Sequence, residues 1–235
     1  MASAHSDHGH GEHGEHADHP KFLAHHFDTP EQQFDAAKFG MWVFIVTEIL
    51  MFGGLFVAYL IYKGQEPSVF IEAHQRLDWK LGSVNTIVLL FSSLTAALAV
   101  RSSQLGKKNE TTFWLVITIL CALGFLGIKY VEYSHKFHDG LLPGRYFTAH
   151  LPEHAHNGHV LPQRANMYFA LYFMMTGLHG LHVIIGMSVL GWVLARNHRG
   201  DFSPEYFTPV EIGALYWHLV DLVWIYLFPL VYLVG

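Results

Sequence analysis

The chain has one cysteine, Cys121. A disulfide framework or a CxxC metal site needs a second, so neither can exist. Charge is also scarce: Asp, Glu, Lys and Arg make up 14% of the residues, the formal net charge is −5, and the basic residues are scattered. Nucleic acid is therefore not an expected partner. A cleavable signal would open with a basic stretch followed by an apolar core, and residues 1–19 have neither. No internal repeat is visible, and no pair of interrupted apolar segments suggests a transporter built from inverted repeats.

What the sequence does have is apolar bulk, 51% of all residues. That is the balance of a polytopic membrane protein rather than a soluble domain. Apolar spans stand at 38–62, 83–100, 112–134, 166–195 and 209–234, each close to or above the roughly 20 residues that cross a bilayer. The expected fold is an all-α integral membrane protein. Residues 29–235 form a five-transmembrane-helix bundle, and residues 1–28 form a cytoplasmic tail. The tail opens MASAHSDHGHGEHGEHADH, with no aromatic and almost no aliphatic bulk, so disorder is expected. Its histidines (His5, His8, His10, His13, His16, His19) could hold zinc, copper or nickel loosely. Without fixed geometry they read as a solvated, pH-sensitive stretch, and no metal site is expected.

Thr29-Pro30-Glu31-Gln32 has the form of a helix start, with Thr29 as N-cap, Pro30 at the first helical position and Gln32 closing a capping box. Thr208-Pro209-Val210-Glu211 repeats that logic, and a capping role is the preferred reading of Glu211. The loops at 62–82 and 134–165 are long, and those at 101–111 and 196–208 are short. The short loops concentrate Arg101, Lys107, Lys108, Arg196 and Arg199. The positive-inside rule then places the N-terminus in the cytoplasm and the C-terminus in the periplasm of a bacterial inner membrane.

Ionisable groups inside a membrane face protein or trapped water, so each one in a span needs an account. Glu48 sits near the middle of the first span with no basic residue close to it on its own helix. It is either a neutral acid bonded to a neighbouring helix or a proton-handling, reactive carboxyl. Lys129 and Glu132, one turn apart, read as an interfacial ion pair with the lysine snorkelling outward. Asn85, Ser92 and Ser93 look like interhelical hydrogen-bonding groups. His179 and His182 share a face among Gly177, Gly180 and Gly186. A metal or haem could use such a pair, but packing and hydrogen bonding are the preferred reading. In the last span Trp217, His218, Asp221 and Trp224 form one stripe. Beside the histidine pair it reads as a polar seam, where the last two helices bond to each other or to lipid headgroups.

Read together, FGMWVFIVTEILMFGG, VNTIVLLFSSLTAA, GIKYVEY, TGLHGLHVIIG and EIGALYWHLVDLVWIYLFPLVYL resemble subunit III of the haem–copper terminal oxidases. The resemblance runs from about residue 37 to 235 and leaves out the tail. Within it, Glu48 matches the family's buried carboxyl, known for carbodiimide reactivity. Asn85 and Ser93 fall in its second block, Glu132 and Tyr133 in its third, and His179 and His182 in its fourth. Glu211, Trp217, His218, Asp221 and Trp224 fall in its last.

The resemblance implies a non-catalytic subunit of a proton-pumping cytochrome c oxidase. Such a subunit stabilises the catalytic subunit I, contacts other oxidase subunits and lipid, and supports proton uptake. Haem and copper would belong to partner subunits, with none in this chain, and bound phospholipid is expected. Full-length members have seven helices. The two not seen here form one wall of a lipid-holding cleft, so the cleft is either missing here or completed by another chain. Other readings are subunit III of a quinol oxidase, an accessory protein of a nitric oxide reductase, and a stand-alone proton or metal transporter using Glu48 and the histidines.

Overall fold

The computed structural model describes residues 23–24, 27–149, 151 and 161–233. The proposed disordered tail falls almost wholly outside them. Helix α1 runs Pro30–Gln65, a short α2 follows at Pro67–His74, and α3 is Trp79–Gln104. Then come α4 at Lys108–His138, α5 at Ala165–Arg199 and α6 at Thr208–Phe228, which ends in a π-helical turn, Pro229–Leu233. Among the described residues the only extended pairings are two isolated bridges, Leu141 with Phe147 and Ser203 with Tyr206. All these helices except α2 are long and apolar enough to cross a membrane.

Helix α1 has 36 residues, or about 54 Å at 1.5 Å per residue, against a hydrocarbon core of about 30 Å. Its first turns therefore stand in water, where side-chain capping pays. Thr29 accepts the Gln32 amide at 3.2 Å and Pro30 opens the helix. The expected box is displaced by one residue, because Gln32 Oε1 takes the Asp28 amide at 2.8 Å rather than that of Thr29. Asp78 caps α3 through the Lys80 amide at 2.9 Å, and Gly200, at φ 85°, closes α5 in the left-handed conformation that glycine tolerates.

Helix α6 is the most buried span and α1 the least. α6 packs on α1, α3 and α5, while α4 completes the ring between α3 and α5. Close packing depends on glycine at Gly82, where a Cβ would sit 2.7 Å from the Phe228 ring. Large apolar side chains such as Leu50, Ile87, Leu120 and Trp192 point outward along the spans, as a protein solvated by lipid or by membrane partners requires.

Helix α2 was not expected; its sequence falls inside the long loop at 62–82. It forms because Pro67 pre-sets a first turn and Phe70 is buried against Tyr59 and Tyr168, with ring centroids 5.3 and 5.2 Å away.

Candidate functional site

Helix α1 presents Glu48 toward α5. There Glu48 Oε2 lies 3.0 Å from His182 Nε2, with both side chains nearly buried. The contact has the distance of an ion pair but not the alignment of a hydrogen bond. The other ring nitrogen, Nδ1, is 2.7 Å from the Leu178 carbonyl oxygen, which orients the imidazole. The Phe52 ring meets it edge-on at 5.3 Å. The carboxyl that lacks a basic neighbour on its own helix thus meets one across the α1–α5 contact.

A second centre lies nearer the long-loop end. Glu132 is 2% exposed and gathers four donors: Lys129 at 2.8 Å, Lys136 at 2.9 Å, Tyr172 at 2.9 Å and Tyr232 at 2.5 Å. Lys129 also donates to the Tyr232 hydroxyl at 2.6 Å and lies 4.6 Å over the Trp224 ring. The snorkelling expected of Lys129 does not occur. α4 continues to His138, so Lys129 lies inside the bundle, and the π-helical turn after α6 carries Tyr232 onto it. Two lysines against one glutamate make a buried cluster rich in cations.

The third feature is the stripe on α6. Trp217 donates to the Ser92 hydroxyl at 3.0 Å, Trp224 to Thr86 at 3.0 Å, and His218 Nδ1 shares a hydrogen bond with Ser93 at 2.8 Å. These bonds run to α3, not to α5. Toward α5 the seam is made of rings and one backbone bond. His179 faces Trp224 at 5.2 Å and Phe125 at 5.5 Å, and Tyr216 donates to the His182 carbonyl oxygen at 3.3 Å. Asp221 stands beside Ser92 and Ser93, whose hydroxyls turn instead to Leu89 O and His218. Asn85 is fully buried on α3.

Glu211 stands in the first turn of α6, as expected, but does not cap it. α6 begins at Thr208 with Phe207 as N-cap and no side-chain cap, which leaves Glu211 past the capping position. Its carboxylate pairs with Lys38 of α1 at 2.9 Å instead. Lys136, Tyr172, Tyr232 and Thr86 belong to these sites without standing out in the sequence. The tyrosines carried one signal, since a buried Tyr hydroxyl in a span has to find a partner.

The family model described as cytochrome c oxidase subunit III matches residues 20–161 and 146–235. The chain belongs to that family. It is similar to quinol oxidase subunit 3 of Bacillus subtilis (strain 168), at 28% identity over 83% of this chain and 86% of the relative. Probable quinol oxidase subunit 3 of Staphylococcus aureus (strain USA300) is 27% identical, over 88% of this chain and 94% of the relative. Subunit III has no redox centre of its own. Among the described residues no group of three or more His, Cys, Asp or Glu side chains could hold a metal ion. The chain is thus a multi-pass membrane subunit of a haem–copper oxidase.

Proposed function

We propose that this subunit III serves a proton-pumping respiratory oxidase that reduces oxygen to water with electrons from cytochrome c. It acts by bracing the catalytic subunit and supporting its proton uptake and lipid surroundings. The family match over residues 20–235 carries the reading. The Glu48–His182 approach at 3.0 Å is compatible with a proton-handling carboxyl, because a group that takes up and returns protons needs a basic neighbour in an apolar surrounding. The basic short loops favour a cytoplasmic N-terminus. The polar seam of Asn85, Ser93, His179, Trp217, His218, Asp221 and Trp224 is read as structural, with Glu132 as the centre of a fixed charge cluster.

A second reading replaces cytochrome c with quinol, the donor named for the relatives in Bacillus and Staphylococcus. Oxygen consumption by the purified complex separates the two. Turnover on reduced cytochrome c with none on quinol supports the first reading, and the reverse supports the second. A complex that consumes oxygen with neither donor contradicts both.

A further inference from the structure

Deep in the bundle, three side chains from three helices carry polar atoms without a hydrogen-bond partner. They are both amide atoms of Asn85 on α3, both ring nitrogens of His179 on α5, and both carboxyl oxygens of Asp221 on α6. Their exposures are 0%, 1% and 2%. Trp224 is the landmark of this region. Its ring faces His179 at 5.2 Å, its N–H reaches Thr86 next to Asn85 in sequence, and Asp221 precedes it by one helical turn.

A buried polar atom left unpaired destabilises the fold, because it loses its water and gains nothing in return. Several of them together would rival the whole stability of a typical domain. Lys129 is already held by Glu132 and Tyr232, and Thr86 by Gly82 O and Trp224, while the Ser92 and Ser93 hydroxyls stand beside Asp221.

We propose that Asn85, His179 and Asp221 hold buried water in the bundle core, and that this water exchanges with the aqueous phase at the long-loop end. The route begins at a polar cavity of about 340 Å³, walled by Arg76, Asp78, His135 and Asp139 and floored by Glu132 and Lys136. From there Lys136, Glu132 and Lys129 follow at 2.9 and 2.8 Å, and Lys129 ends above Trp224. A buried water typically makes about three hydrogen bonds, and these three side chains offer both donors and acceptors.

The test is electron cryo-microscopy of the chain in lipid nanodiscs, with the partners that co-purify with it, at a resolution that shows ordered water. The expected result is water density within hydrogen-bond distance of both Asn85 and His179. A map with no water in reach of these atoms, or one in which they pair directly with protein groups, overturns the proposal. Asn85→Leu gives an independent reading. It removes two of the unpaired atoms at nearly constant volume, so the chain should accumulate at its normal level and lose the water beside His179. Loss of the assembled chain in Asn85→Leu would mean that Asn85 has a protein partner it cannot lose, which also overturns the proposal.

Discussion

Glu132 is the residue whose removal the bundle should tolerate least. It is the counter-charge of two buried lysines and the acceptor for two buried tyrosines. Glu132→Leu leaves Lys129 and Lys136 without an anion. Breaking a buried pair in this way costs about 3–5 kcal/mol, to be read as a lower melting temperature of the purified protein or loss of the chain from membranes. The exposed pair Lys107–Glu110 is the control, and Glu110→Gln should change stability by no more than about 0.5 kcal/mol. Glu48 differs, since its close partner is His182 rather than a lysine. Glu48→Gln keeps the size and polarity of the side chain, so assembly should be intact and proton uptake at most modestly slowed. Complete loss of oxygen reduction in a fully assembled Glu48→Gln complex would contradict a supporting role. The sequence shows that Glu48 needs a partner, but it does not show that His182, on another helix, supplies it. The same holds for Tyr232, which is 100 residues from Glu132 and contacts it only because the chain turns after Pro229.

At the scale of elements, the spans were legible because a membrane demands long apolar runs and leaves few alternatives. The short α2 was not, since one helical turn of apolar residues beside Pro67 looks like any loop until Tyr59 and Tyr168 are seen to receive Phe70. Helix starts were half legible. Thr29 caps α1, whereas α6 takes Thr208 into its first turn and frees Glu211 for Lys38. The close approach of α3 to the end of α6 gives an element-scale test. Gly82→Val pushes against the rings of Phe228 and Tyr232 and should cost about 1–3 kcal/mol by overpacking, while also loosening the Tyr232 bond to Glu132. Gly40→Ala meets nothing within 4 Å and should leave the melting temperature unchanged or raise it, by up to about 1 kcal/mol of helix propensity.

For the whole molecule, the polar interior is organised around the Glu132 cluster and the Glu48–His182 contact, and the chain, like its family, has no redox centre of its own. The His-rich segment at residues 1–19 lies beyond the region of resemblance, so its deletion should leave the rate of oxygen reduction unchanged, measured with an oxygen electrode on the purified complex. The family was legible from the order of the sequence blocks. The electron donor was not, because no residue of this chain is expected to touch it. The central claim is membership of a haem-bearing oxidase, and co-purification tests it most directly. The chain is tagged at its C-terminus, extracted from its native membranes in mild detergent and followed by haem absorbance. The account predicts that haem and oxygen consumption elute with the tag. A tagged chain that elutes free of haem, from membranes whose oxidase remains active, would contradict it.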